Sequence, residues 1–362
     1  MRNGRGSFYF VDSLLGLAKY QRVSQQVVAN ILHSISHDHL SYQKAAEPYG
    51  LSKAYVYGLI RKLNPDVYIP YLKEPITTQF LHVVADEDHV AIQDRKRSRK
   101  ERKDKTNRHM IRHITLFTGI KTISKGRHRL VDRMIFSQLR NETTAEFCAR
   151  VNEYILDNYK VTGRIFVYGD GASWISRTLT DEVAGIYIHD KFHMKQALMR
   201  VCGGRKSSER AILEELLENN EKELFASAVR ALFPELSEFK QKQFRYILSF
   251  WDAYQRNFQT PNALWCCSKG INSHYFSEYF SPRPKGFSIS NMHKIGYLLS
   301  FSHSRYDIRR YFIDNQEDFI KPETDTSDLL DDKHYEVIQA AIPVIDKGLT
   351  TNLYRAVKSL LH

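Results

Sequence analysis

Two apolar runs that each end in an aspartate constrain this chain most. They are His82-Val83-Val84-Ala85-Asp86 and Arg164-Ile165-Phe166-Val167-Tyr168-Gly169-Asp170. Short apolar runs with β-branched and aromatic residues read as buried strands. A carboxylate at the end of such a strand is costly to desolvate without a partner. Two of them brought side by side repel each other unless a cation lies between them. Hard divalent ions such as Mg²⁺ prefer that oxygen environment, and paired ions suit in-line attack at phosphorus. The pattern therefore points to metal-dependent chemistry on a nucleic-acid backbone. Two plainer readings stand beside it. Asp86 can be a strand-end turn carboxylate, with Glu87 or Asp88 the functional acid, and Asp170-Gly171 can be an ordinary turn.

Charge supports a polyanionic partner. Lys and Arg outnumber Asp and Glu by 53 to 41 in 362 residues, a formal net charge of +12. Such a balance favours nucleic acid, the alternative being a basic enzyme without that role. A hydrophobic content of 42% is enough for real cores. None of the four cysteines forms a C-x-x-C pair, which argues against a zinc ribbon and a disulfide framework and fits a reducing cytoplasm. There is no signal-peptide core at Met1-Arg2-Asn3-Gly4-Arg5 and no apolar run near the ~20 residues that span a bilayer. The expectation is a soluble, cytoplasmic protein.

Periodicity divides the chain. Residues 1–75 read as helical. Val27, Val28, Ile31, Leu32 and Ile35 recur at helical spacing, and Ser41–Gly50 with Leu51–Leu63 forms a helix-turn-helix candidate with Gly50 in the turn and Ser52 as N-cap. In it Val56, Leu59, Ile60 and Leu63 would face inward, leaving Lys53, Tyr55, Tyr57, Arg61 and Lys62 for DNA. A plain helical hairpin is the alternative. Residues 76–194 read as the first part of an α/β domain: a strand at His82–Gln93, a basic loop, strands at Ile111–Phe117 and within Ile120–Phe136, a helix at Thr144–Asn158, a strand at Arg164–Tyr168, a short helix at Ser173–Leu179 and a strand at Ile186–Ile188. Three antiparallel strands followed by alternating helix and strand is the order of an RNase H-like mixed sheet. In that order the strands before Asp86 and Asp170 are neighbours. Residues 195–262 read as a helical insertion with helices at Lys195–Val201, Ser207–Asn219, Glu221–Leu232 and Ser237–Tyr254. Residues 263–310 complete the α/β domain, and 311–362 form a helical tail.

Several segments resemble the ISLre2-type bacterial transposases. Ala85-Asp86-Glu87-Asp88-His89-Val90-Ala91-Ile92-Gln93 looks like their first catalytic segment, Gly169-Asp170-Gly171-Ala172-Ser173-Trp174-Ile175 like the second, and His189-Asp190-Lys191-Phe192-His193 like the D-x-x-H segment that follows. Leu14–Arg22, Ser41–Ala46, Cys267–Gly270, Ser273-His274 and Arg283–Ser288 are similar to further blocks, in order along most of residues 10–300. The resemblance implies DDE-type phosphoryl transfer on double-stranded DNA with Mg²⁺ or Mn²⁺, carried out by an assembly on paired element ends. Asp86 and Asp170 match the two aspartates and would hold the metal. The family's third acid falls at Lys269, which puts strand transfer in doubt; Glu278 lies nearby, out of the family's position. Phe287 replaces a usual Trp, and fewer residues precede the helix-turn-helix region, which suggests a shortened copy. The alternatives are a catalytically inactive DNA-binding protein on the same fold and a structure-selective nuclease.

Other residues carry weaker signals. His193 is read as orienting the active site or contacting DNA, or as a structural histidine. The D-x-x-H of Asp190 and His193 is too few ligands for zinc by itself. Trp174 is read as core. The loop 95–105 holds eight Lys or Arg and two acids. It is a solvated hairpin loop or, beside a phosphodiester site, a phosphate contact through Arg95, Lys96, Arg97, Arg99 and Lys100.

Overall fold

A computed structural model describes residues 23–63, 74–92, 108–125, 127–203, 208–264, 273–280, 287–304 and 307–310. The loop residues 95–105, Lys269 and the tail 311–362 lie outside the described residues.

Among the described residues three helices come first: α1 (Gln25–Ser36), α2 (Tyr42–Ala46) and α3 (Lys53–Lys62). Each is started by a serine, Ser24, Ser41 and Ser52, whose side chain accepts a hydrogen bond from a first-turn backbone N–H. A 3-10 turn at Glu47–Tyr49 and Gly50 in the left-handed region (φ 63°) separate α2 from α3. Val56, Leu59, Ile60 and Leu63 are buried, Lys53, Tyr57 and Lys62 are exposed, and Arg61 is half-buried. Tyr55 departs from the expected solvent-facing set. It packs partly into the core, and burial raises its phenol pKa.

The described strands that follow are β1 (Ile76–Ala91), β2 (Arg108–Phe117), β3 (Gly119–Ser124), β4 (Arg127–Val131), β5 (Met134–Ser137), β6 (Tyr159–Gly169) and β7 (Ile186–His189). Five form a mixed sheet in the order β5-β2-β1-β6-β7. β2 is antiparallel to both β1 and β5, whereas β1, β6 and β7 run parallel. The strand material expected within Ile120–Phe136 divides: β3 and β4 pair as a separate two-stranded ribbon, and β5 joins the main sheet. The reason is in the side chains: β3 and β4 are exposed almost throughout and have no apolar face to bury, whereas Met134–Ser137 is buried at every position.

Helix α4 (Thr144–Asn158) crosses from β5 to β6 and starts with a reciprocal capping box between Thr143 and Glu146. Its apolar residues Phe147, Val151, Tyr154 and Ile155 cover one face of the sheet, against Leu81, Val83, Ala85, Ile114 and Val167. The opposite face is covered by α10 (Ile289–His303), which shares a core with α1, α2 and α3. The N-terminal helices are thus packed on the sheet domain through α10 and do not form a core of their own.

Between β7 and the last segment lie α5 (Lys191–Cys202), α6 (Ser208–Glu218), α7 (Lys222–Leu232), α8 (Glu238–Ser249) and α9 (Trp251–Gln259). They have a separate core built on Leu198, Leu213, Leu217, Phe225, Val229, Ile247, Trp251 and Tyr254. The single helix expected over Ser237–Tyr254 is broken at Phe250 (φ −103°, ψ 11°). The Phe250 ring stacks on His189 at 4.7 Å. The break lets α8 reach the end of β6 while α9 packs along β7.

Candidate metal and phosphoryl-transfer site

The parallel register assembles the candidate site. β1 and β6 pair as Val84 with Tyr168, so two further residues bring Asp86 level with Asp170 just where β6 ends. β6 and β7 pair as Gly169 with His189, and the Asp190 N–H donates to Gly169 O at 3.0 Å, continuing the alignment to Asp190. Asp86 within β1 thus stands level with Asp170 and Asp190, which directly follow β6 and β7. The carboxyl ends of such strands are where open α/β sheets usually bind ligands.

Strand alternation sorts the acidic triplet of β1. Glu87 faces α4, where its carboxylate accepts the Trp174 indole N–H at 3.2 Å and Arg112 lies over the same indole at 5.5 Å. Trp174 is buried, as expected of core, and also bonded through its ring nitrogen. Asp86 and Asp88 point to the other face. Asp88 accepts from His89 N–H at 2.9 Å and Ser277 O–H at 3.2 Å; burial raises its pKa against the pull of these bonds. Asp86 accepts from Glu87 N–H at 2.8 Å. It is not at a strand end, because β1 continues beside β2 to Ala91. Its cross-strand partner His113 is fully buried, bonds Ser137 at 2.9 Å, and is held neutral by burial, with His293 adding to the effect.

Asp170 is held from several directions. Its carboxylate accepts from Ala172 N–H at 2.9 Å, and its carbonyl accepts from the Tyr246 hydroxyl of α8. Gly171 adopts φ +94° with its Cα against the Phe250 and His189 rings; an added Cβ would lie 2.8 Å from Phe250. His189 is bridged by Tyr187 at 2.9 Å and Tyr246 at 3.1 Å, and Asn257 donates to its carbonyl at 2.8 Å. Burial lowers the His189 pKa to about 3, outweighing the attraction of Asp190, so the ring is neutral.

The next histidine behaves oppositely. Asp190 caps α5 through Phe192 N–H at 2.9 Å and accepts from His193 Nδ1 at 2.9 Å. Burial works to lower the His193 pKa, but the Asp190 bond and charge, with Asp170 and then Asp86, raise it. The charges of all three aspartates therefore reach this imidazole.

Glu278 is placed differently. Its side chain is 60% exposed and faces His39 Nδ1 at 3.8 Å. It joins no three-ligand cluster with Asp86 and Asp170 among the described residues. Tyr246, Tyr187 and His189 escaped the sequence reading. His189 carries the one local signal, adjacency to Asp190; Tyr246 carries none, because its link to Asp170 spans two cores.

The donor set fits a hard divalent ion: the Asp86 and Asp170 carboxylates are half-exposed oxygen donors at neighbouring strand positions. No helix among the described residues is long and apolar enough to cross a membrane.

The chain is 24% identical over 310 residues to a UPF0236 protein of Caldanaerobacter subterraneus subsp. tengcongensis, covering 83% of this chain and 63% of that one. A second UPF0236 protein of the same organism is 26% identical over 308 residues, covering 83% and 64%. The chain thus spans a little under two thirds of the length of these curated relatives. A solved structure titled Drosophila P element transposase strand transfer complex aligns over 83% of each chain at 13% identity, with a TM-score of 0.28, too low to carry a fold comparison. Residues 2–316 match the uncharacterised protein family UPF0236, and the chain belongs to that family.

Proposed function

We propose that this chain is an ISLre2-type DDE transposase with an RNase H-like catalytic core, a phosphoryl transferase acting on DNA. The observation that carries the reading is the alignment of Asp86 with Asp170 on neighbouring parallel strands, with the field of both reaching His193. The strand order β5-β2-β1-β6-β7, with β2 antiparallel to both neighbours, matches an RNase H-like sheet. The matched segments at Asp86, Asp170 and His189–His193 agree with it.

Asp86 and Asp170 would hold Mg²⁺ or Mn²⁺, which supplies Lewis acidity toward the phosphodiester and a nucleophile at neutral pH. Asp190 orients His193 through Nδ1 and, with Asp170 and Asp86, favours its protonated form, which would present positive charge to a backbone phosphate. The Glu87–Trp174–Arg112 cluster locks the far side of β1 and fixes the direction in which Asp86 points. Lys53, Tyr57 and Lys62 on α3 and the basic loop 95–105 supply the DNA contacts, and neutralising that loop lowers the salt dependence of DNA binding.

Cleavage of DNA carrying the element's terminal repeats, with Mg²⁺ or Mn²⁺, tests the reading. The wild-type chain nicks at the repeat, and Asp170→Asn reduces the rate by about 10³-fold or more, since the metal accounts for several kcal/mol of the barrier. Equal cutting of DNA without repeats assigns a nuclease. Repeat binding without cutting, unchanged by Lys269→Glu, assigns a DNA-binding protein that has lost its chemistry.

A further inference from the structure

The end of α1 carries imidazoles that phosphoryl transfer does not use. His33 and His37 lie one helical turn apart, with rings stacked at 4.8 Å and 14°. Asp38 follows directly. Its carboxylate oxygens lie 3.1 Å from His37 Nδ1 and 3.9 Å from His33 Nδ1. Among the described residues this is the one set of three or more His, Cys, Asp or Glu side chains whose donor atoms all lie within 4.8 Å of one another.

A flanking layer sits behind it. His39 takes a left-handed conformation (φ 53°), uncommon for a residue with a side chain. Its Nε2 lies 3.3 Å from His303 Nε2 in the last turn of α10. The His303 ring is 5.8 Å from that of His37 and is hydrogen-bonded to the backbone of Ser36. The nearby cation Arg309 is paired with Asp307 at 3.2 Å.

Two imidazole nitrogens and one carboxylate oxygen favour zinc, cobalt or nickel over magnesium or calcium, which take oxygen ligands. Ligand atoms around tetrahedral zinc lie roughly 3.3 Å apart at bond lengths of about 2.0–2.1 Å. The separations here need only small side-chain movements to reach that. The partial negative charge at the C-terminus of α1 also favours a cation.

We propose that His33, His37 and Asp38 bind one zinc-class divalent ion, with water completing the coordination and the His39–His303 pair tying the site to α10. It differs from the Asp86–Asp170 site in donor chemistry and does not depend on the function proposed for that site. Its sequence signature is His33 and His37 at i, i+4 followed at once by Asp38.

Cobalt(II) is the probe. The full chain, stripped with a chelator, is titrated with Co²⁺ and followed by visible absorption and by thermal melting. One equivalent gives a d–d band that Zn²⁺ abolishes and excess Mg²⁺ does not, and the melting temperature rises. His37→Gln and Asp38→Asn each weaken Co²⁺ binding by at least about tenfold. Both positions are exposed, so these chains fold, as circular dichroism checks; either variant alone decides. Asp86→Asn leaves the band intact. The proposal is overturned if wild type gives no band, if the band survives at full strength in either α1 variant, or if it vanishes in Asp86→Asn.

Discussion

The Asp170 turn and the Glu278 turn both border the same sheet, yet they are built in contrasting ways. Asp170 is fastened by its own strand, by the Ala172 N–H, by Tyr246 from α8, and by Gly171 lodged against two rings. Glu278 lies on a single helical turn, 60% exposed, with its carboxylate 3.8 Å from His39 Nδ1. A phosphoryl-transfer site needs its charges fixed before substrate arrives, because reorientation during reaction costs part of the stabilisation they give. One acid is therefore preorganised by two cores meeting, and the other is left on the surface. The comparison identifies the helical insertion as a structural part of the site: α8 and Phe250 are what hold the second aspartate.

Gly171→Val is the strongest way to break this contrast. The new Cβ must tolerate φ +94° and a 2.8 Å approach to the Phe250 ring. Left-handed strain and overpacking each cost of order 1–3 kcal/mol, together about 3 kcal/mol. Chemical denaturation should read that loss, along with cleavage reduced beyond what stability explains. A variant as stable and active as wild type would mean that the turn is not under constraint.

Acid provides the next largest effect. The folded-state pKa of His189, about 3, lies below the usual 6.5. A depressed histidine contributes stability that is complete above pH 6.5 and is lost as pH falls toward about 3, because the unfolded chain takes up the proton first. Between pH 6.5 and 5 this one residue accounts for about 2 kcal/mol at about 1.4 kcal/mol per unit. His193 acts with the opposite sign. Its raised pKa contributes stability that is complete below 6.5 and fades as pH rises through the folded value. Nuclear magnetic resonance titration should find His189 silent from pH 8 to 5 and His193 titrating above the ordinary midpoint, and Asp190→Asn should bring the His193 midpoint down. A His193 midpoint at or below 6.5 in wild type would mean that the carboxylates do not govern this imidazole.

Much of this was legible in the chain. The apolar runs before Asp86 and Asp170 became β1 and β6, and the 3.6-residue spacing of Phe147, Val151, Tyr154 and Ile155 became the buried face of α4. These signals are local, since burial on one face leaves a period. What was hidden is what depends on distant partners. Nothing near Phe250 announces a helix break, because its cause is a ring 61 positions earlier, His189. Nothing near Tyr246 points to the Asp170 carbonyl. β3 and β4 alternate well enough to read as sheet, and only the lack of a buried face sends them into a ribbon of their own. The apolar run before Asp86 already favoured it over Glu87 and Asp88, and the fold adds the partners of the other two. Once alternation is known, Glu87 belongs to Trp174 and Asp88 to Ser277, and only Asp86 stands level with Asp170.

Tyr246→Phe sharpens the contrast at smaller cost. It deletes one hydroxyl that serves both the Asp170 carbonyl and His189 Nε2 while leaving the ring in place. A net loss of about 1 kcal/mol is the expected scale for a hydrogen bond of this type. The informative readout is catalysis: if α8 positions Asp170, cleavage should fall while repeat binding holds. Loss of stability with unchanged cleavage would reduce Tyr246 to a packing residue.

Glu278→Gln should do least. The carboxylate is mostly solvated, and its contact with His39 Nδ1 is long, at 3.8 Å, and open to water on the Glu278 side, so it contributes little. Stability and Mg²⁺-dependent cleavage should both stay within about twofold of wild type, in keeping with weak surface pairs. A loss as deep as that of Asp170→Asn would reverse the comparison. It would mean that DNA draws the Glu278 turn inward, with Ser277 already bonded to Asp88 acting as the tether. The acid left on the surface would then be the one that DNA binding brings to the metal, and the two turns would differ only in when they are ordered.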